Sequence, residues 1–162
     1  MQEVEEIIRG YHQMKKQLNI AKFQLENFSG ISEEDVIESM CFSHSEGERI
    51  STNSISDKTA KTALDFKKLK EQLNDDLYNF YFREYMELSK KISFFEYAIS
   101  QLSGDLPSIM LDLFINKCTW DDLSAKYHVC KAMIGKYRKK AIQELNDIYK
   151  MRDIQMLQYM LS

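Results

Sequence analysis

The chain has 162 residues, the size of one ordinary domain or two small ones, with 44% apolar and 29% charged residues and a formal charge of −3, which is typical of a soluble globular protein. Its five glycines and one proline make up under 4% of the chain, whereas glycine and proline together account for roughly 12% of residues in average proteins. Sandwiches and barrels need frequent turns and are excluded. The composition predicts an all-α protein with few, long helices.

The same sequence argues against secretion and membrane insertion. Residues 1–6 are acidic and precede no apolar stretch, so we expect no signal peptide. No apolar run approaches the ~18 residues that would span a membrane. Three cysteines in no recognisable pattern indicate free thiols and a cytoplasmic location.

The first predicted helix covers residues 1–28 and ends at Gly30, placed directly after the helix. Its apolar residues recur at alternating steps of three and four, which predicts a coiled-coil seam. The seam consists of Val4, Ile7, Tyr11, Met14, Leu18, Ala21, Leu25 and Phe28.

A short helix and a polar connector come next. Ser32 can cap a helix that runs to about Met40. Residues 43–56 are rich in serine without helical periodicity, which predicts a flexible connector.

Asp57 then caps the longest predicted helix, residues 58–102, which contains neither glycine nor proline. A second seam steps by four and three residues from Tyr81 to Leu102, so we predict long antiparallel coiled-coil helices. Whether the two seams pair within one chain or between chains stays open at this point. The aromatic cluster of residues 78–85 is expected to pack against a helix or a second protomer rather than to stack bases.

Residues 103–107 (SGDLP) are the clearest domain boundary, and Pro107 suits the first turn of a helix that runs to about Asn116. This boundary divides the chain into an acidic helical body, a C-terminal module and an apolar helical tail. The predicted domains are 1–103, 105–146 and 147–162.

Charge separates the C-terminal module from the body. Residues 117–152 hold nine basic and four acidic side chains, a balance of +5, which leaves −8 for the rest of the chain. A basic cluster on one segment is typical of a surface that attracts a polyanion, but equally of a solvated helix face, and charge alone leaves both interpretations open.

The module itself has the pattern of a helix-turn-helix. Thr119 can cap a short helix that buries Trp120, Leu123 and Tyr127, and a turn at His128 leads into a second, basic helix. The outward side of such a helix contacts base edges and phosphates. The expected DNA-contacting residues are Lys131, Ala132, Gly135, Lys136, Arg138, Lys139 and Lys140.

Residues 119–123 (TWDDL), 129–131 (VCK) and 137–142 (YRKKAI) resemble the sigma-70 region 4 type of helix-turn-helix. In layout, residues 1–146 resemble phage-encoded transcription regulators of the RinA/ArpU type, with residue-level similarity over 107–146. The resemblance implies binding to double-stranded DNA and activation of late phage genes, with RNA polymerase as a further candidate partner.

The chain departs from that family pattern at several positions. Ser124, His128 and Cys130 stand where the family usually has a small residue, Gly and Ser, so His128 must adopt a turn conformation that glycine adopts more easily. Ala132 and Gly135 stand where the family tends to have bulky polar or basic residues. We therefore expect fewer base contacts and a larger share of affinity from phosphates.

The tail, residues 147–162, continues with apolar residues at helical spacing. It either packs back on the body or forms a dimer or partner surface, and we favour self-association as a homodimer. Three other functions stay open. They are a terminase small subunit, a minimal sigma-like factor, and an interaction coiled coil whose module does not bind DNA.

No spacing of Ser, His and Asp, and no glycine-rich phosphate loop, indicates an enzyme or a cofactor. Cys118, His128 and Cys130, or Cys41 with His44, do not give four zinc ligands in an established spacing. We therefore expect no catalytic, cofactor or metal site.

Overall fold

The computed structural model describes residues 2–42 and 55–161. Within these residues the chain is helical and contains no strand, which confirms the all-α prediction. None of the described helices combines the length and the apolar character needed to cross a membrane. The elements are α1 (Gln2–Glu26), α2 (Glu33–Phe42), α3 (Ile55–Ser100), α4 (Leu106–Met110), a π-helical segment (Leu111–Ile115), α5 (Trp120–Tyr127) and α6 (Lys131–Leu161).

The end of α1 differs from the prediction. The helix ends at Glu26, where the Asn27 side chain donates a hydrogen bond to the Phe23 carbonyl at 2.9 Å. Gly30 is therefore not the residue directly after the helix. It has φ +83°, in the left-handed region that favours glycine, and next to it the Ile31 N–H donates to Asn74 Oδ1 at 2.6 Å.

The start of α2 is confirmed, whereas the start of α3 is not. Ser32 Oγ accepts a hydrogen bond from the Asp35 N–H at 3.2 Å, as expected of a residue that caps a helix. Helix α3 begins at Ile55, so Asp57 lies inside the helix and does not cap it. The predicted connector, 43–56, thus extends two residues too far, and its residues 43–54 lie outside the described part.

The described chain forms two compact units, residues 20–86 and residues 1–19 with 87–162. In the first of these, Val36 is buried and the Phe28 and Tyr78 rings lie edge to face at 5.4 Å. Tyr78 also stacks on Phe82 at 6.4 Å, although both rings stay about half exposed. The aromatic cluster therefore packs partly on the segment that follows α1.

In the other unit, seam residues of α1 and α3 share one hydrophobic core. The Tyr11 and Phe95 rings lie 5.7 Å apart, and both the Tyr11 hydroxyl and the Lys15 ammonium donate to Glu96. These contacts occur within one chain; the coiled-coil geometry itself stays a prediction. The buried core consists of Val4, Ile7, Tyr11, Ile92, Phe95, Ala98, Ile99, Leu102, Leu106, Ile109, Met110, Phe114, Ala141, Leu145 and Tyr149.

The segment around Gly104 joins α3 to α4 inside this unit. Leu102 and Leu106 are both buried in the same core, and Pro107 lies in the first turn of α4 as predicted. The Glu144 carboxylate of α6 accepts hydrogen bonds from the Ser103 N–H at 2.9 Å and the Ser103 hydroxyl at 2.7 Å. Residues 103–107 therefore do not separate the two compact units, because one core includes residues on both sides of this segment.

Candidate nucleic-acid interface

The start of α5 is fixed by a reciprocal pair of hydrogen bonds. Thr119 Oγ1 accepts from the Asp122 N–H at 3.2 Å, and Asp122 Oδ2 accepts from the Thr119 N–H at 2.9 Å. The hydrogen bonds from Thr119 lower the pKa of the Asp122 carboxyl. The predicted cap is confirmed, and it orients α5 through two of its otherwise unpaired N–H groups.

Three residues connect α5 to α6. His128 has φ +54° and ψ +40°, so it adopts the left-handed turn conformation that the sequence required of it. The Ser124 hydroxyl donates to the Val129 carbonyl at 2.6 Å, while the Val129 N–H donates to the Ser124 carbonyl at 3.3 Å. Cys130 precedes the first residue of α6, and its carbonyl accepts from the Ile134 N–H at 3.2 Å. The turn is therefore held at both ends by short-range hydrogen bonds.

Leu123 on the inner face of α5 and Ile134 on the inner face of α6 are both fully buried. Trp120 was expected to be buried, and this prediction is wrong because its side chain remains 42% exposed. Its indole lies over Gly135, where an added Cβ would be 3.6 Å from the Trp120 Cη2 atom. Gly135 is thus half covered by an aromatic side chain instead of facing outward.

A buried carboxylate fastens α5 to the π-helical segment. Asp112 is 5% exposed and accepts hydrogen bonds from Lys126 Nζ at 2.6 Å, the Tyr127 hydroxyl at 2.7 Å and Asn116 Nδ2 at 2.9 Å. These hydrogen bonds, that of Lys126 first, lower the pKa of Asp112 to about 2. Sequence reasoning missed this network because Asp112 is a single acid in an apolar stretch and its partners lie up to 15 residues away.

The π-helical turn supports the network and receives a contact from α1. The Asn116 N–H donates to the Leu111 carbonyl at 3.0 Å, and Lys117 then turns the chain with φ +56°. His12 Nε2 lies 3.2 Å from the Phe114 carbonyl oxygen. Because a carbonyl only accepts, His12 donates its N–H there.

The seven predicted DNA-contacting residues fall into three groups according to their exposure and their ion pairs. Ala132, Lys136 and Lys139 are exposed and fall, with exposed Gln143, at steps of four, three and four residues. These four residues form one line along the helix, called here the basic stripe. Within the described chain, neither lysine of the stripe forms an ion pair.

The second group is exposed but paired. Lys131 Nζ lies 2.6 Å from an Asp121 carboxylate oxygen, and Lys140 Nζ lies 3.6 Å from Glu144. In both pairs the lysine is more than half exposed, so the ammonium can exchange a carboxylate for another anion at little cost. Arg138 and Gly135 form the third group, because both are only half exposed and lie toward the buried side of α6.

The middle of α6 is anchored on α1 and α3. The Arg152 guanidinium lies 4.6 Å from the Tyr149 ring centre and 5.0 Å from that of Phe94, and it pairs with Glu3 at 3.2 Å. Burial raises the pKa of the Tyr149 hydroxyl to about 12. The start of the predicted tail therefore packs on α1 and α3.

The described side chains contain no group of three or more His, Cys, Asp or Glu that could hold a metal ion. The thiols of Cys118 and Cys130 are free. The alternative pair, Cys41 and His44, lies outside the described side chains.

Comparison with protein-family models, curated proteins and solved structures finds no match to this chain.

Proposed function

We propose that the chain is a transcription regulator that binds double-stranded DNA through a helix-turn-helix formed by α5 and α6. The observation that carries this proposal is the basic stripe. Lys136 and Lys139 are exposed, form no ion pair within the described chain, and lie on the first three turns of a helix that a second helix braces. This is the arrangement by which such modules present a helix to the major groove.

The stripe suits phosphate contacts better than base reading. Lys136 and Lys139 can each neutralise a phosphate, and Lys131 can join them by exchanging Asp121 for a phosphate. Ala132 offers an apolar contact to a thymine methyl group, and Gln143 can hydrogen-bond a base or the backbone. Affinity would therefore come mainly from counterion release and would fall steeply with salt.

The contacts behind the stripe explain how α6 is held. The capping pair at Thr119 and the network at Asp112 fix α5, and Leu123 of α5 and Ile134 of α6 are both fully buried. Farther along, Glu144 ties α6 to Ser103, in the segment between α3 and α4. A recognition helix held at several points loses little conformational freedom on binding DNA.

The test is DNA binding by Lys136→Gln/Lys139→Gln, measured by fluorescence anisotropy from 50 to 300 mM salt. Removing two phosphate contacts should lower the slope of log K against log salt by about 1.8 and weaken binding roughly 10-fold or more at low salt. The matched control is Lys90→Gln/Lys91→Gln, which removes two exposed lysines of α3. If both double variants lost affinity equally, net charge alone would explain binding and the proposed interface would be wrong.

The RinA/ArpU resemblance extends the proposal to the activation of late phage genes, with RNA polymerase as a partner. Sequencing of the DNA bound by the protein in cells tests this extension. Narrow peaks upstream of one operon, absent for Lys136→Gln/Lys139→Gln, are expected. Uniform coverage of the genome would contradict a regulator.

A further inference from the structure

The last three turns of α6 carry large apolar side chains that remain in solvent. Met151, Ile154, Leu157, Met160 and Leu161 are between 53% and 87% exposed. At 100° per residue they fall within an arc of about 180°, so they occupy one half of the helix surface, called here the terminal face. Isolated exposed apolar residues are ordinary, but a contiguous set marks a binding surface.

We propose that the terminal face binds the same face of a second copy of the chain. The area is the first argument. At about 180 Å² for a fully exposed residue of this size, the five side chains offer about 600 Å² per copy and about 1,200 Å² in a pair, the lower end of specific interfaces. Burying this much apolar surface suffices for a specific, reversible dimer.

Charge gives the second argument for a second copy as the occupant. A two-fold pair brings each residue close to its own counterpart region, so a charged face would repel itself. Residues 154–161 (IQMLQYML) contain no charged side chain. The nearest charges, Arg152 and Asp153, already pair with each other at 2.7 Å. Two copies of the terminal face can therefore meet without charge repulsion, and the face offers no charge by which to select a charged partner.

The terminal face is also spaced for helix pairing. Ile154, Leu157 and Leu161 follow steps of three and four residues, which places them on the seam of two helices that pack side by side. Gln143, the last residue of the basic stripe, lies about 16 Å before Ile154 along the helix axis. Pairing would leave the stripe uncovered and would hold two stripes in one particle. The inference does not depend on DNA binding.

The test uses the full chain in sedimentation equilibrium from 1 to 100 µM, without DNA. Wild type should reach the dimer mass. Ile154→Gln/Leu157→Gln should weaken the dimer by about 100-fold or more, because the pair loses four apolar side chains. Both positions are already exposed, so the melting temperature should stay within a few degrees of wild type. A variant that unfolds can be replaced by Leu161→Gln, at the last described residue of α6.

Met156→Gln is the matched control, since Met156 is 62% exposed on the same helix but outside the terminal face. It should dimerise like wild type. A monomeric wild type at 100 µM would overturn the proposal, as would a double variant that dimerises normally. Equal dissociation by Met156→Gln would also overturn it, because the effect would then not belong to the terminal face.

Discussion

Asp112 offers the sharpest test of how the C-terminal helices are held together. Asp112→Asn keeps the shape of the side chain but removes its charge, and it turns an NH₂ group toward donors that the carboxylate accepted. A pKa lowered from 3.8 to about 2 corresponds to about 2.4 kcal/mol at 1.36 kcal/mol per pH unit. Because the Lys126 side chain is 59% exposed and solvent screens it, we expect a loss of about 1–2 kcal/mol at pH 7.

The pH dependence separates this explanation from a general loss of packing. The pKa of Asp112 is lower in the folded protein than in the unfolded chain, so its stabilisation is complete above about pH 5 and is lost as pH falls through 4 toward 2. Urea denaturation at several pH values should therefore show wild type and Asp112→Asn converging in acid.

The matched control for this experiment is Asp105→Asn, an exposed acid just before α4, which should change the free energy of unfolding by less than about 0.5 kcal/mol. A gap between wild type and Asp112→Asn that stays constant from pH 7 to pH 3 would refute the reasoning, and so would the absence of a gap at pH 7.

Two further substitutions probe the ends of α5. Thr119→Ala removes the capping hydroxyl and should cost about 1 kcal/mol in urea denaturation, whereas Thr119→Ser should be nearly neutral; equal stability of all three proteins would show that the cap contributes nothing. His128→Gly should raise stability by about 0.5–1 kcal/mol, because glycine adopts the left-handed conformation without the cost that a β-carbon brings. His128→Ala serves as the control for the lost imidazole, and a gain there as large as with glycine would contradict the conformational explanation.

Much of the helical pattern follows from local sequence. The spacing of apolar residues predicts α1 and α3, and Ser32 and Thr119 mark two helix starts because a hydroxyl bonds a nearby N–H group. The error in the predicted start of α3 is also local. Asp57 resembles a cap, yet α3 begins before it, since neighbouring residues can extend a helix beyond a residue that could cap it.

The candidate site was predicted only in part. Periodicity placed Lys136 and Lys139 on the outside of α6, where the structure has them. It could not show that Trp120 covers Gly135, because this depends on how α5 crosses α6. The inward side of Arg138, by contrast, was readable from its spacing of four and three residues from the buried Ile134 and Ala141. Spacing along one helix defines its faces but not which neighbour covers each face.

The sequence by itself determined that the chain is all-α, where most helices lie and where positive charge is concentrated, because helix formation and charge density depend on residues close in the chain. Only the tertiary structure decided that the Asp112 carboxylate is buried among Lys126, Tyr127 and Asn116, and that α1 seam residues pack on α3 of the same chain. Such contacts join residues far apart in the chain, 85 positions in the case of Tyr11 and Glu96. Their formation depends on the burial of a shared core, which no short stretch of sequence contains.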